Sequence, residues 1–447
     1  MEILILNGSP KGKNSVTLQT CLYLKNRFEN HKYTILDVGL KIKKYEKDFS
    51  EPLLLLNKAD LIIFAYPIYT FLAPYQLHRF IELMKENNIN LKDKYATQIS
   101  TSKHFYDVTA HKYIELNCYD FKMRYIKGLS ADMDDLLTEK GQNDAKCFFN
   151  KLIFDIEKQI YKKAEDKKIS EKTIYKNTLK GNEITGNKDV LILTNMSDED
   201  ENLNNMIEDF IFTSINPVRV INIRKFPFKG GCISCFNCAT DGKCIYNDGF
   251  DDFLRNKIQS ADAIVYAFSI KNHYTHSSFK CYDDRQFCNG HRSVTTGMPV
   301  GYIISGDYSK EDNIQTLVEA RSEVGGVYLC GVATDEQDVA RSIKNLSLSL
   351  EYALSNKMYK PSNFYGVGGT KIFRDLVYLM QGLMKADHKF YKAHGIYDFP
   401  QKQKKRLLQM KFIGLLLSIP FVQKKTKGKM NKYILEPYKK IIEDKNK

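Results

Sequence analysis

The sequence lacks any apolar run long enough to cross a membrane. The longest, "FIGLLLSIPFV" at 412–422, is well short of the roughly 20 residues that a membrane-spanning helix needs. The opening stretch "MEILILNGSP" has no basic leader and no small-residue cleavage site, so we expect no secretory signal. Both absences predict a cytoplasmic protein. There thiols stay reduced, and a dense cysteine cluster is more often a metal site than a disulfide framework.

The chain has fewer acidic than basic residues, and most of the basic excess lies in the C-terminal tail. The chain has 67 Lys and Arg against 53 Asp and Glu, a net charge of +14. Residues 401–447 alone hold 14 basic residues against Glu436, Glu443 and Asp444, so the tail carries +11. Because the rest of the chain is close to neutral, we expect no nucleic-acid partner.

Two sets of short apolar strands alternate with helical patterns. The first set is at 1–6, 33–38, 59–67, 95–100 and 123–128, and the second at 189–195, 217–223, 261–269, 299–305 and 325–331. Continuous apolar strands between helices predict parallel sheets covered on both faces. The predicted organisation is a doubly wound α/β domain at 1–164, a polar linker at 165–188, a second such domain at 189–358 and a basic helical segment at 359–447.

The two sets look like a repeat with an insertion in the second copy. "LIL" at 4–6 matches "LIL" at 191–193, an offset of 187, whereas "ADLIIFAY" at 59–66 matches "ADAIVYAF" at 261–268, an offset of 202. The second copy has therefore gained 15 residues between these anchors, the length of the stretch Gly231–Ile245. We interpret that cysteine-containing stretch as the insertion.

The stretch "NGSPKGKNSVT" at 7–17 joins the first strand to the first helix. It lacks the Gly-Lys-Ser/Thr of a Walker loop and the three-glycine dinucleotide fingerprint. Helix N-termini at this edge of a doubly wound sheet attract anions, so the stretch is either a phosphate loop or a polar turn with a helix cap. The candidate phosphate ligands are Ser9, Lys11, Asn14, Ser15 and Thr17.

The loop after the third strand, within "YPIYTFLAPYQLHRFIE" at 66–82, offers an apolar wall for a planar ring. Aromatic residues in such a loop are more often core. Together with 7–17, however, it resembles the flavodoxin-like NAD(P)H-dependent FMN reductases. The resemblance implies that the first loop takes the FMN phosphate and that the second cradles the isoalloxazine. The implied ring-loop residues are Pro67, Ile68, Tyr69, Thr70 and Phe71.

The equivalent phosphate loop of the second copy is acidic. "TNMSDEDENLNN" at 194–205 places four carboxylates, Asp198 to Glu201, where a phosphate would sit. Like charges at that place disfavour an anion, so we expect this copy to have lost its flavin phosphate site.

Four of the ten cysteines, Cys232, Cys235, Cys238 and Cys244, lie within thirteen positions. Two successive C-x2-C steps followed by a longer loop favour a 4Fe–4S cluster. A zinc site usually takes two separated pairs. Zinc and a redox or metal-free thiol group remain alternatives. Of the other cysteines we single out only Cys281 and Cys288, which follow the second copy's ring loop at 268–280.

This run inside a flavodoxin-like domain resembles the iron-sulfur flavoproteins. The resemblance implies FMN and a cluster, in a flavin-dependent oxidoreductase that passes electrons between them, with NAD(P)H or a ferredoxin-type protein as donor. Here the phosphate loop is in one copy and the cysteines in the other. We therefore expect a tandem of two flavodoxin-like domains that acts as a pseudo-dimer within one chain. The alternatives are a redox sensor or electron carrier without its own substrate, and a zinc-stabilised binding module.

The basic tail supports two interpretations. Its lysines flank the apolar run at 412–422, which suits either an interfacial helix on anionic lipid or a helix docked on the domains with a solvated lysine face. We prefer the docked helix on sequence alone.

Overall fold

The computed structural model describes residues 1–162, 174–397, 403–426 and 429–443. Part of the predicted linker and parts of the predicted C-terminal segment lie outside these ranges. The described residues form two compact units. Unit 1 contains 1–162, Gly231–Cys235, 424–426 and 429–443, and unit 2 contains 174–230, 236–397 and 403–423.

Unit 1 is built on an all-parallel sheet with the strand order β2-β1-β3-β4-β5, in which β6 also pairs with β4. Its strands are β1 Glu2–Asn7, β2 Lys32–Leu36, β3 Leu61–Pro67, β4 Tyr95–Ser102, β5 Arg124–Tyr125 and β6 Leu129–Asp132. Its helices are α1 Val16–Arg27, α2 Val38–Tyr45, α3 Ser50–Lys58, α4 Tyr75–Glu86, α5 Asp107–Asp120 and α6 Glu139–Glu157. Strands β1 and β3 are buried almost throughout, as expected for a sheet covered on both faces.

Unit 2 repeats this topology. Its parallel strands are β7 Val190–Thr194, β8 Val218–Asn222, β9 Ala263–Ser269, β10 Pro299–Ser305 and β11 Tyr328–Thr334. Their order is β11-β10-β9-β7-β8, which matches unit 1 once the strands are counted from β7. Its helices are α7 Glu201–Thr213, α8 Asn237–Asp241, α9 Phe250–Phe253, α10 Ser277–Arg285, α11 Asp312–Gly325 and α12 Val339–Asn356. The prediction of two doubly wound parallel-sheet domains is confirmed.

The insertion predicted from the repeat offsets falls in one crossover of unit 2. Residues 223–262 connect β8 to β9, whereas 37–60 connect β2 to β3 in unit 1. The longer crossover contains α8 and α9, and all four clustered cysteines lie within it. The cysteine segment therefore lies on the chain between two strands whose counterparts in unit 1 are joined by two helices.

Helices follow the second sheet, as predicted for the C-terminal segment. They are α13 Phe364–Leu379, α14 Lys385–Ala393, α15 Lys404–Leu417, α16 Pro420–Thr426 and α17 Met430–Glu443. Helix α17 is part of unit 1, where Leu435 and Tyr438 enter the same apolar core as Leu18 and Phe149. Asn26 in α1 donates to the carbonyl of Ile442 over 3.2 Å.

Among the described residues no single helix is long and apolar enough to span a membrane. Helices α15 and α16 meet that criterion only when they are taken together, and they are bent by 101° at the break between them.

Candidate functional site

The loop from Gly8 to Ser15 in unit 1 is a compact turn that ends in a helix cap. Ser15 precedes α1, and its Oγ accepts a hydrogen bond from the Leu18 amide over 3.3 Å. The Lys11 amide donates to Ser9 Oγ over 3.3 Å. A Cβ on Gly8 would lie 2.8 Å from Leu77 Cδ2, so glycine lets this loop pack closely on α4. The local sequence thus folds as a turn that leads directly into the N-terminus of α1.

The structure places four of the five predicted phosphate ligands in this turn, and the fifth, Thr17, in the first turn of α1. Ser9, Ser15 and Thr17 are at most 1% exposed, and Thr17 Oγ1 lies 2.6 Å from Thr101 Oγ1 at the end of β4. The amides of Val16 and Thr17, in the first turn of α1, have no acceptor within the helix. These amides, the buried hydroxyls and the helix dipole together fit a phosphate group.

Lys11 in this loop lies close to the first two clustered cysteines. Segment Gly231–Cys235 belongs to unit 1, and Cys232 and Cys235 interact electrostatically with Lys11. Burial lowers the pKa of Lys11 to about 8, and the two cysteines oppose this shift. A Cβ on Gly231 would meet Tyr75 Cδ1 at 2.6 Å and Gln76 Nε2 at 3.1 Å. The segment is therefore packed against the start of α4, beside the phosphate loop.

The predicted ring loop is a tight turn in a sterically costly conformation. The Tyr69 amide donates to the Leu72 carbonyl over 2.8 Å, and the reverse bond measures 3.0 Å. The two residues between them, Thr70 and Phe71, have φ angles of 45° and 72°. Neither is glycine, and the left-handed region is costly for both, most of all for β-branched threonine. Such strain is concentrated at ligand sites in proteins.

The loop after β4 contributes aromatic rings that sequence reasoning missed. Phe71 lies 5.0 Å from Phe105 and 4.5 Å from Tyr106 between ring centroids. The Thr109 hydroxyl donates to the Phe71 carbonyl over 2.6 Å. The signal that could have found them is the position of "HFYD" directly after the fourth strand, at the same edge of the sheet.

The same β4 edge holds a half-buried histidine, His111. Ser100 Oγ lies 2.7 Å from His111 Nε2, and burial lowers the pKa of His111 to about 4. At neutral pH the imidazole is therefore uncharged. This side chain gives the edge a neutral polar group rather than a cation.

Unit 2 keeps the geometry of the ring loop but changes its chemistry. The Tyr274 amide donates to the Lys271 carbonyl over 3.0 Å, and Asn272 and His273 between them have φ angles of 52° and 66°. His273 occupies the place of Phe71, and its Nδ1 lies 2.9 Å from Glu311 Oε1. An apolar ring is thus replaced by a buried histidine–carboxylate pair.

The phosphate loop of unit 2 is filled by one of its own carboxylates. Asp200, at the N-cap of α7, accepts hydrogen bonds from the amide and the hydroxyl of Ser197, each over 2.7 Å. Burial alone would raise the pKa of Asp200, but these bonds, a bond from Ser269 and the charge of Lys271 outweigh it and lower the pKa. A negative charge therefore occupies the turn.

The four clustered cysteines are divided between the two units. Cys232 and Cys235 belong to unit 1, and Cys238 and Cys244 to unit 2. In unit 1 the Ser234 amide donates to Cys232 Sγ over 3.4 Å, and in unit 2 Cys238 Sγ donates to the Phe287 carbonyl over 2.8 Å. No group of three or more His, Cys, Asp or Glu side chains within the described ranges is placed to hold a metal ion. Four thiols are a donor set that suits iron or zinc.

Three arginines surround the cysteines of unit 2. Arg285 Nη2 lies 3.7 Å from Cys244 Sγ, and Arg292 Nη1 donates to the Cys238 carbonyl over 3.4 Å. Arg255 donates to the carbonyl of Gly242. Arg285 also lies over the rings of Phe228, Tyr246 and Phe250, at 5.5, 4.5 and 5.1 Å from their centroids. This part of the segment therefore lies beside three guanidinium groups.

Comparisons with known proteins agree with this fold. Residues 1–126 match a family model described as the flavodoxin-like fold. The iron-sulfur flavoprotein of Archaeoglobus fulgidus is 23% identical over 177 residues, which cover 37% of this chain and 78% of that protein.

Solved structures with some likeness include an oxidoreductase and a protein in complex with FMN. The NAD(P)H:quinone oxidoreductase from Methanothermobacter marburgensis is 16% identical, covers 40% of this chain and all (100%) of its own, and has a TM-score of 0.29. General stress protein 14 from Treponema denticola, in complex with FMN, is 12% identical, covers 34% of this chain and 98% of its own, and has a TM-score of 0.29. The chain thus has a flavodoxin-like fold at 1–126, is similar to an iron-sulfur flavoprotein, and carries a second sheet of the same strand order.

Proposed function

We propose that this chain is a flavin-dependent oxidoreductase of the FMN-reductase type, with one FMN held by unit 1. The observation that carries the proposal is the difference between two loops of the same fold. In unit 1 the helix cap is the neutral Ser15 beside buried hydroxyls, whereas in unit 2 the cap is Asp200, whose carboxylate fills the turn. A phosphate is attracted to the first and repelled by the second.

The residues proposed to hold FMN are those of the two loops of unit 1. Ser9, Lys11, Asn14, Ser15 and Thr17 would hold the phosphate, and Pro67 to Phe71 would line the ring, to which we add Phe105 and Tyr106. When bound, FMN supplies chemistry that accepts a hydride and releases single electrons. NAD(P)H is the proposed donor, as the resemblance of the two loops to the FMN reductases implies.

A finer proposal concerns the cysteine segment as a second redox centre. The C-x2-C-x2-C-x5-C spacing suits a 4Fe–4S cluster, and the curated relative is named an iron-sulfur flavoprotein. Cys232 and Cys235 lie beside Lys11 of the phosphate loop, which is the neighbourhood that a partner of the flavin would need. The cluster therefore rests on the spacing of the four cysteines and on that relative. A zinc site or a metal-free redox thiol pair remains an alternative, as do a redox sensor and an electron carrier.

The flavin assignment is tested by exchanging the charge of the two helix caps in the full chain. Ser15→Asp keeps a residue that caps helices well but puts a carboxylate where the phosphate would sit. We expect it to abolish FMN retention without loss of helical circular dichroism. The matched variant Asp200→Ser in unit 2 should leave the FMN content unchanged. FMN retained by Ser15→Asp, or lost in Asp200→Ser, would refute the assignment to unit 1.

The metal assignment is tested separately, by iron and zinc analysis and visible spectra of protein purified without oxygen. A broad absorption beside the flavin bands that disappears in Cys235→Ser, with iron lost, supports the cluster. Cys147→Ser is the matched control, because Cys147 is exposed and lies outside the segment. Turnover of NAD(P)H distinguishes an enzyme from a sensor or carrier. A protein without flavin or metal absorption would rule out both redox centres.

A further inference from the structure

Among the described residues, helix α15 is attached to unit 2 along one side. Gly414 in α15 faces Gly382, and a Cβ built on Gly414 would lie 2.7 Å from the Gly382 Cα. Lys385 Nζ donates to the Gly414 carbonyl over 3.2 Å and to Ser418 Oγ over 2.6 Å. Two glycines thus allow the backbones to touch, and this contact fixes which side of the helix faces the protein.

The opposite side of α15 is an exposed apolar stripe. Leu408, Phe412, Leu415 and Leu416 are 70%, 62%, 70% and 42% exposed. Their spacing of four, three and one residues puts them on one face of a helix with 3.6 residues per turn. The helix is therefore apolar on both sides, and docking covers only the side of Gly414.

Lysines frame this stripe. Lys404, Lys405 and Lys411 are exposed, and helical geometry places them on the same half of α15 as the stripe. No carboxylate in the described part of the chain forms an ion pair with these three lysines. A solvated lysine face on a docked helix would account for the charges, but not for four large apolar side chains between them.

We propose that this face of α15 binds the surface of a bilayer containing anionic lipid. Apolar side chains would enter the boundary between headgroups and acyl chains, while the lysines reach phosphate groups at the surface. Charge complementarity selects this occupant, because an apolar partner protein would leave three unpaired ammonium groups at the rim. The 101° bend between α15 and α16 suits a helix that lies on the membrane rather than one that spans it.

The test is vesicle pelleting with the full chain, since helix α17 belongs to the core of unit 1 and a truncation would remove it. We expect the wild type to sediment with vesicles of phosphatidylcholine and phosphatidylglycerol, and not with phosphatidylcholine alone. Lys404→Gln/Lys405→Gln/Lys411→Gln should weaken binding by about 100-fold, at about fivefold for each lysine. Leu408→Gln/Leu415→Gln should weaken it at least about tenfold, because each leucine loses its transfer into the interface.

Matched controls remove the same chemistry elsewhere. Leu348→Gln/Tyr352→Gln removes two apolar side chains that are 58% and 60% exposed on α12, and Lys41→Gln/Lys47→Gln/Lys158→Gln removes three exposed lysines of unit 1. Both controls should bind like the wild type. Equal binding to neutral vesicles, or unchanged binding of the α15 variants, overturns the proposal. A dimer in sedimentation velocity that Leu408→Gln/Leu415→Gln abolishes, without vesicle binding, assigns the face to a second copy instead.

Discussion

Replacement of Arg285 by methionine should open the cysteine segment of unit 2. The side chains of Arg285 and Asp248 are 1% and 2% exposed, and they are joined by two parallel hydrogen bonds of 2.7 Å each. Arg285 also donates to the Gly230 carbonyl over 2.9 Å. One guanidinium therefore links α10 to both ends of the segment, at Gly230 and at Cys244.

The expected cost follows from the carboxylate that is left behind. Methionine keeps much of the apolar stem, but among the described residues Asp248 then retains the amides of Lys229 at 3.1 Å and Phe250 at 3.3 Å. Removing one partner of a buried ion pair typically costs about 3–5 kcal/mol. The double variant Arg285→Met/Asp248→Asn lacks the unpaired charge and should regain about 2 kcal/mol or more of that loss.

The pH dependence of stability independently tests whether the Arg285–Asp248 pair stabilises the fold. Burial would raise the pKa of Asp248, but its bonds to Arg285 and to backbone amides outweigh burial and lower it. A lowered folded-state pKa stabilises the fold above the unfolded-state value, near 4 for aspartate, and this contribution is lost as the pH falls through the folded-state pKa. The difference between wild type and Arg285→Met should therefore be large at pH 7 and smaller below about pH 4.

Hydrogen exchange measured by mass spectrometry on peptides of α10 and of 244–250 reports this local opening free energy. Equal differences at both pH values, or a double variant no more stable than the single one, would refute the reasoning.

Three further outcomes are expected. Leu435 in α17 is 3% exposed, so Leu435→Ala should destabilise unit 1 by about 2–5 kcal/mol, measured as faster hydrogen exchange in α1. The control Tyr433→Ala, at a site that is 61% exposed, should lower the stability by less than about 0.5 kcal/mol. Thr70→Gly should raise the apo protein's thermal midpoint, because glycine relieves about 1 kcal/mol of left-handed strain; a lower midpoint contradicts this. Gly231→Ala should speed alkylation of Cys232 and Cys235 by displacing the segment from Tyr75, whereas Gly368→Ala, with no atom within 4 Å of its Cβ, should not.

Sequence patterns predicted the sheets well, because strands that are buried on both faces have continuous apolar sequences. The offset of 202 between "ADLIIFAY" and "ADAIVYAF" also places Tyr69 opposite Lys271, and both begin the same left-handed turn. The repeat therefore extends from the strands into the loop geometry, although the residues within the turn share no chemistry.

The prediction of one strand at 123–128 was wrong in part. The structure has two short strands, Arg124–Tyr125 and Leu129–Asp132, which pair with different parts of β4. Between them a Cβ on Gly128 would lie 2.2 Å from the Gln98 carbonyl oxygen. The close approach that requires glycine interrupts the strand, and a run of apolar letters does not record it.

Contacts distant in sequence were beyond local patterns. The basic tail predicts an amphipathic helix, but only the fold shows that α17 packs against α1, more than 400 residues away in the chain. Likewise, the sequence around Phe105 and Tyr106 indicates only a loop. The pairing of β3 with β4 brings these two rings against Phe71. In both cases the partner is chosen by topology and not by spacing.

This division of the chain decides how the cofactor proposals must be tested. Unit 1 includes Gly231–Cys235 and α17 as well as residues 1–162. A fragment limited to the first domain would lack Leu435 and Tyr438 from its core and the cysteine pair beside Lys11. Failure of such a fragment to bind FMN would therefore not separate a missing site from an incomplete fold. Adding a carboxylate at Ser15, or removing the one at Asp200, in the intact chain avoids this ambiguity, because the packing of both units remains in place.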